Sequence, residues 1–381
     1  MTPEEAYRIL DMELGDIKTY DKDCLINHYL DMTTPLGRDF AIWLASRIAV
    51  LRGSNCFETF KGKLKSKDNV KFNEALSILE IAYKFSSSSF SVSFIPESDT
   101  KTPDMQIHAG NTDINLEVTQ MFNSEFEREI YKLREEIHNR IIKLGVCYAG
   151  VISIPSDKYN DIEFIESIKP LILEKLDNAI KSTTQNHQFH TFKIDSIMDF
   201  AVSPQISSTD FHCIDSELLT EWVKNKNEEL KGEIKLSLGG IIYYYPKKDI
   251  LQKVKDKLTD QKKEQLSVQS KAGIIVVVNK YNDIMGIFYS DENVRYFLET
   301  MENYVNNNPE VTAFIFYNQF GGVSKSRVIK NERTFFFCKS FNLAPTRMSM
   351  VEESIIIFNK NAMEKLPKEV ISNIINTFEK Y

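Results

Sequence analysis

The stretch Pro103–Gln120, PDMQIHAGNTDINLEVTQ, decides the fold of this chain of 381 residues. Apolar residues at Met105–Ile107 and Ile114–Gln120 flank His108–Asp113, a segment rich in turn residues. Two such runs joined by a turn are typical of an antiparallel β-hairpin. The stretch therefore predicts a hairpin whose second strand carries a carboxylate, Glu117, among apolar neighbours.

Two acidic residues mark the strands of this hairpin. Asp104 opens the first strand, and Glu117 lies within the second. Because side chains alternate along a strand, Glu117 and Thr119 are expected on one face and Gln120 on the other. Two carboxylates that lie close together raise each other's pKa unless a cation lies between them. Mg²⁺ is typically held by one or two carboxylates with water and phosphate oxygens, so the pair indicates a divalent-metal site.

Helices and strands are expected to alternate on both sides of the hairpin. Apolar residues at helical spacing predict a helix over 72–85, and alternating Phe, Val and Ser predict a strand over 90–95. A helix over 126–144 and a strand over 146–154 are expected to follow. Interleaved helices and strands predict an α/β fold with a mixed sheet.

This order resembles the PD-(D/E)XK nuclease superfamily: a helix with Glu80, a strand, Pro103-Asp104, a hairpin with Glu117-Val118-Thr119, then helix and strand. The resemblance covers about Phe72–Ile154, under a quarter of the chain. It implies a restriction-endonuclease-like core with a central mixed β-sheet flanked by helices. It also implies that Asp104 and Glu117 ligate Mg²⁺, with Mn²⁺ as a substitute, and that Glu80 is an accessory acid. The implied activity is phosphodiester hydrolysis in nucleic acid, in DNA rather than RNA.

The sequence departs from the family pattern at Thr119, where the family has a lysine that polarises the attacking water. Gln120 could replace it only if a bulge turned it to the Glu117 side of the strand. Threonine itself could contact the water, as in related Glu-x-Thr strands. Other cations could also substitute, and the candidates are Arg128, Lys132, Lys257, Lys262 and Lys263. The alternative is a catalytically inactive nuclease-fold subunit that binds nucleic acid or a protein partner.

The sequence predicts three regions around this core. A helical N-terminal segment is expected over 1–68, the nuclease-like core over 69–160, and an α/β C-terminal region over 161–381. Strands at 236–245 and 273–279 in that last region would extend the core sheet. Lys247–Lys271 contains eight lysines and four acids, which fits either a solvated helix face or a wall that contacts phosphates.

Composition limits the remaining functions. The chain has 47 basic and 54 acidic residues and a net charge of −7, which disfavours a protein that coats nucleic acid through a basic surface. Its apolar runs have strand length, so no membrane partner is expected. The five cysteines form no CxxC pair, which favours free thiols and a cytoplasmic location. A homo-oligomer or a protein partner stays open.

Histidine and serine motifs give weaker signals. His187 and His190 have HxxH spacing, with His212-Cys213 downstream, but the segment is polar and the histidines are expected on the surface. His108 lies in the predicted turn and is expected to be solvated. The sequence pattern shows no Ser-His-Asp set and no GxSxG elbow.

Overall fold

The computed structural model describes most of the chain. The described residues are 1–15, 26–27, 30, 34–96, 102–121, 125–142, 146–158, 161–186, 188–195, 197–204, 217–229, 241–244, 254, 266, 271–279, 291–321, 326–343 and 348–379. The chain forms two compact units. The larger comprises Met1–Met121, Ile250–Asn282 and Arg295–Tyr381, and the smaller comprises Phe122–Asp249 and Asp283–Val294. This division does not follow the sequence-based bounds 1–68, 69–160 and 161–381.

Twelve strands form two sheets within the described residues. In chain order they are β1 (Ser91–Phe94), β2 (Met105–Ala109), β3 (Thr112–Gln120), β4 (Val146–Ser153), β5 (His190–Ile194), β6 (Met198–Pro204), β7 (Ile241–Tyr244), β8 (Ala272–Asn279), β9 (Ala313–Gly321), β10 (Arg327–Lys330), β11 (Thr334–Leu343) and β12 (Met348–Phe358). The larger unit contains an eight-stranded sheet in the order β1-β2-β3-β8-β9-β12-β11-β10, and the smaller unit a four-stranded sheet in the order β5-β6-β4-β7.

Helices accompany both sheets. In chain order the α-helices are α1 (Pro3–Leu14), α2 (Pro35–Leu51), α3 (Phe57–Lys61), α4 (Asn69–Ser86), α5 (Glu125–Ile142), α6 (Ile162–Asn186), α7 (Glu217–Glu229), α8 (Asp291–Asn306) and α9 (Lys368–Glu379). Helix α1 starts with a capping box, in which Thr2 and Glu5 satisfy each other's backbone N–H groups. Helices α1, α2, α4 and α9 contribute to the core on one face of the large sheet. None of the helices that the structure describes is long and apolar enough to cross a membrane.

The predicted hairpin is confirmed. Strands β2 and β3 pair antiparallel, from Met105 opposite Leu116 to Ala109 opposite Thr112. Gly110 in the turn has φ +59°, a backbone conformation that glycine adopts without strain. The strand predicted at 273–279 is also confirmed, since β8 pairs parallel with β3 and β9. The central sheet is therefore mixed, and its interior strand β8 is buried along its whole length.

The large sheet has two faces with different character. The first, which we call the helix-covered face, carries Leu116, Val118 and Gln120 of β3, and Tyr317 of β9. The two apolar residues of β3 and Tyr317 belong to the core shared with the helices. Residues opposite each other in register share a face, so Asn115, Glu117 and Thr119 lie on the opposite face. We call that opposite face the Glu117 face.

Strand β4 corrects the sequence-based assignment of strands to sheets. The strand expected at 146–154 was assigned to the nuclease-like core, but β4 pairs with β6 and β7 in the smaller sheet. The strand expected at 236–245 is β7, and it extends that smaller sheet rather than the core sheet. Gly150 of β4 allows this packing, because a Cβ there would lie 2.0 Å from the Phe200 ring. Both β4 and β8 are apolar runs, so hydropathy alone could not assign them to different sheets.

The cysteines also differ from expectation. Cys147 in β4 is disulfide-bonded, whereas free thiols were expected throughout. Cys56 and Cys338 are not disulfide-bonded. The absence of a CxxC pair among the five cysteines left the sequence without a local signal for a disulfide.

Candidate metal-binding and catalytic site

Asp104 is fixed where strand β2 begins. Its backbone N–H donates to Leu116 O at 3.1 Å, and its carbonyl accepts from Ile95 N at the same distance. Its side-chain Oδ2 accepts the Val118 N–H at 2.9 Å. The Asp104 carboxylate therefore adds one hydrogen bond to the end of the β2–β3 ladder. Its donor is the backbone N–H of Val118, the residue that follows Glu117.

Glu117 and Thr119 lie in the interior of the sheet. They are opposite Ile275 and Val277 of β8, and they are 2% and 5% exposed. Gln120 accepts a hydrogen bond from Ser77 Oγ of α4 at 3.0 Å, which places it on the helix-covered face. The predicted alternation is confirmed, and Gln120 does not replace the missing lysine on the Glu117 face.

Glu80 occupies a different environment. It is 2% exposed, its Oε2 accepts from Arg47 Nε at 2.7 Å, and its Oε1 accepts from the Tyr317 hydroxyl at 3.4 Å. The Arg47 guanidinium lies 4.6 Å from the ring centres of both Trp43 and Tyr83. Burial lowers the pKa of Arg47, but the charge and hydrogen bond of Glu80 outweigh burial and keep that pKa above its usual value. Glu80 is thus half of a buried ion pair.

The sheet separates Glu80 from Glu117. Glu80 contacts Tyr317, which lies in register with Val278 of β8, and Val278 lies in register with Gln120. All of these residues share the helix-covered face, whereas the Glu117 side chain points to the opposite face. The structure therefore brings Asp104 beside the Glu117 segment, but it does not bring Glu80 there. The motif order suggested one cluster of three acids because order along the chain does not specify the face of a sheet.

A cavity of about 550 Å³ adjoins Asp104. Asp104 and Val118 line it together with Glu74, Lys63 and Lys71. Two lysines and a second acid thus share a cavity with the predicted aspartate, and sequence reasoning missed all three. Lys63 lies in the lysine-rich stretch before α4, whereas Lys71 and Glu74 lie in the first turns of α4 itself. The signal in the sequence was the density of lysine, with five lysines between Lys61 and Lys71.

The other proposed cations lie elsewhere. Arg128 and Lys132 are exposed on α5 of the smaller unit, and Lys132 pairs with Glu129 at 2.6 Å. Lys257, Lys262 and Lys263 lie outside the described residues, as does most of Lys247–Lys271. Lys63 and Lys71 are therefore the lysines that the described structure places in the Asp104 cavity.

The donor set suits a weakly coordinated hard cation. Asp104 and Glu117 offer carboxylate oxygens, which Mg²⁺ and Mn²⁺ accept together with water molecules. Within the described part of the chain, no three His, Cys, Asp or Glu side chains are grouped to hold a metal. A site built here therefore has at most two carboxylate ligands among these residues, and the rest of the coordination would come from water and substrate.

The histidines are more ordered than the sequence suggested. His108 was expected to be solvated in a turn, but it lies in β2, where Nδ1 is 2.7 Å from Asp113 Oδ1 and Nε2 is 3.1 Å from Ser93 Oγ. His190 of β5 is hydrogen-bonded to Ser182 at 2.9 Å. His187, His212 and Cys213 lie outside the described residues, so the possible HxxH site cannot be built from the described part.

Comparisons with known proteins add no assignment. No protein-family model matches the chain. No curated protein matches it either.

Proposed function

We propose that the larger unit is a metal-dependent nuclease of the PD-(D/E)XK type that hydrolyses phosphodiester bonds in nucleic acid, with DNA as the expected substrate. The observation that carries the proposal is the hydrogen bond from Val118 N–H to Asp104 Oδ2, 2.9 Å long. It fixes a carboxylate next to the strand position that carries Glu117. The mixed sheet and the hairpin that bears both acids give further support.

Asp104 and Glu117 would hold the metal. When bound, Mg²⁺ or Mn²⁺ supplies an activated water and offsets charge on the phosphate. Thr119 lies on the same face of β3 as Glu117, two residues further on, and its hydroxyl would orient the attacking water. Glu80 has no part in this proposal, because its carboxylate is committed to Arg47.

Positive charge for the substrate would come from the cavity at Asp104. Lys63 and Lys71 line that cavity, and lysine ammonium groups attract phosphates independently of base sequence. Val118, which lines this cavity, lies on the helix-covered face. These lysines would therefore contact phosphates beside Asp104 and would not replace the lysine missing at Thr119.

A cleavage assay with matched variants tests the proposal. The full chain is incubated with supercoiled, linear and single-stranded DNA and with RNA, in EDTA, Mg²⁺ or Mn²⁺. We expect metal-dependent cleavage that falls by at least about 100-fold in Glu117→Gln and in Asp104→Asn, because each removes a charge that binds the metal. Asp113→Asn is the control, since Asp113 lies on the same strand and face as Glu117 but is 42% exposed in its side chain.

Thr119 stands where the family pattern has its lysine, and this favours a second candidate function. That candidate is a nuclease-fold subunit that binds nucleic acid or a protein partner without cutting. Binding without cleavage in every metal, with affinity lowered by Lys71→Ala, would support that second candidate and reject the nuclease. Equal cleavage by the wild type and Glu117→Gln would reject the assigned site.

A further inference from the structure

Ser93, His108 and Asp113 form a continuous hydrogen-bonded set on three adjacent strands. Ser93 Oγ lies 3.1 Å from His108 Nε2, and His108 Nδ1 lies 2.7 Å from Asp113 Oδ1. The residues are 15 and 5 positions apart along the chain, so the set forms only when β1, β2 and β3 pair. Sequence inspection alone therefore found no Ser-His-Asp set.

The roles of the atoms follow from Asp113. Hydrogen bonds from His108 and then from Lys271 hold the pKa of Asp113 below its usual value, so its carboxylate is ionised and can only accept. His108 Nδ1 must then carry the proton, which leaves Nε2 to accept the Ser93 hydroxyl proton. A nucleophile, a base and an acid that orients the base are arranged in this way in hydrolases of unrelated folds.

The strands hold this geometry in place. His108 lies directly opposite Asp113 in the β2–β3 ladder, and Ser93 lies in the edge strand β1 opposite Gln106. Asp113 is also held from its other side, because Lys271 Nζ donates to Oδ2 at 3.1 Å. The His108 side chain is 28% exposed, so the set is ordered by backbone pairing and still reachable from solvent.

We propose that Ser93 is a nucleophile for carboxylic esters with good leaving groups, which gives the chain a metal-independent esterase activity. Ser93 Oγ bonds to the carbonyl carbon while its proton passes to His108 Nε2. The carbon–oxygen bond to the leaving group then breaks, and the departing oxygen takes that proton. Water, deprotonated by His108, attacks the acyl group, and the acid leaves as Ser93 regains its proton. Esters of acidic phenols are the substrates we expect to react fastest, because their phenolate leaving groups depart readily from a partly solvated site.

The test combines covalent labelling with turnover, in EDTA so that the proposed nuclease site takes no part. The full chain is treated with a fluorophosphonate probe, and the modified residue is mapped by mass spectrometry. The rate of p-nitrophenyl acetate hydrolysis is measured in parallel. We expect the probe on Ser93, and a rate that falls about 100-fold or more in Ser93→Ala and His108→Gln, the usual range for removing a general base.

Ser91→Ala is the matched control. Ser91 is exposed on the same strand and lies directly opposite His108 in register, so its loss should leave labelling and rate unchanged. Circular dichroism melting checks that each variant is folded, and Asp113→Asn replaces His108→Gln if the latter unfolds. Labelling at another residue, or a rate that is equal in Ser93→Ala and Ser91→Ala, would overturn the proposal. Neither result bears on DNA cleavage, which depends on Glu117.

Discussion

The two faces of the eight-stranded sheet hold their buried acids in different ways. On the helix-covered face Glu80 pairs with Arg47 at 2.7 Å, and Glu352 pairs with Lys84 at 2.9 Å. On the Glu117 face Glu353 accepts its hydrogen bond from the neutral amide of Asn318 at 3.1 Å. Burial raises the pKa of Glu353 to about 7, although the hydrogen bond from Asn318 opposes the shift.

This difference separates structural acids from acids that are available for chemistry. A buried ion pair compensates two charges that would each be costly alone, and it fixes the packing of the elements that carry them. Glu80 and Arg47 join α4 to α2 in this way. Glu117 lies on the other face of the sheet, which also carries Asp113 and His108. Burial alone therefore does not distinguish the two kinds of acid, but the face of the sheet does.

Removal of Arg47 should give the largest effect. Arg47→Met leaves Glu80 buried opposite an apolar side chain, and we expect the free energy of unfolding to fall by about 3–5 kcal/mol. Urea denaturation followed by circular dichroism measures this change. The control is Lys330→Met, which breaks the exposed pair with Glu379, 2.6 Å long, and should cost below about 1 kcal/mol.

The double variant Arg47→Met, Glu80→Met sharpens this test. It replaces the pair by apolar groups, so we expect it to recover most of the lost free energy of unfolding. If Arg47→Met alone were no more costly than Lys330→Met, the assignment of Glu80 as a structural acid would be wrong.

Local sequence patterns predicted the parts of the fold that depend on local chemistry. The hairpin followed from the turn residues between Ile107 and Ile114, and the alternation of Glu117 with Gln120 followed from strand geometry. The strand at 273–279 followed from a run that is apolar on both faces. Each of these predictions needed only a few neighbouring residues.

The contacts that local patterns could not predict depend on long-range pairing. Glu80 lies 33 residues from Arg47 and 237 from Tyr317, and no local pattern connects them. A signal was still present: Glu80 lies in an apolar helical stripe with Lys84 one turn on, and a buried acid in such a stripe requires a cation. The Ser93–His108–Asp113 set was missed for the same reason, because it is assembled by the pairing of three strands.

The stability of the fold should depend on pH through Glu353. Below about pH 4.5, the usual pKa of a glutamate, the residue is protonated in both the folded and the unfolded state. As the pH rises to about 7, the unfolded chain releases this proton while the folded chain retains it, so stability falls. The loss is complete above that pH and amounts to roughly 3 kcal/mol from the shift in pKa.

Glu353→Gln should remove this loss. We expect the unfolding free energy of the variant, relative to wild type, to rise by roughly 3 kcal/mol between about pH 4.5 and pH 8. Urea denaturation at both pH values measures the difference. Glu332→Gln, which changes an exposed residue before β11, is the control. A pH-dependent difference as large in this variant as in Glu353→Gln would show that the burial of Glu353 is not the cause. A pH-independent difference for Glu353→Gln would mean that its carboxyl loses its proton over the same pH range in the folded and the unfolded chain.

The smallest effect we expect is the change in the free energy of unfolding when Mg²⁺ is added. This change compares the acids on the two faces directly, because it measures metal binding without turnover. If Asp104 and Glu117 hold Mg²⁺, saturating Mg²⁺ should raise the free energy of unfolding of the wild type by about 1–3 kcal/mol, since the metal binds the folded state alone. Glu117→Gln should lose this increment, because one of two carboxylate ligands is gone. Glu80→Gln should start from a lower stability, since it disrupts the pair with Arg47, yet retain the full increment. The same increment in Glu117→Gln and wild type would place the metal elsewhere, whereas its loss in Glu80→Gln would mean that the sheet does not separate the two acids as the strand register requires.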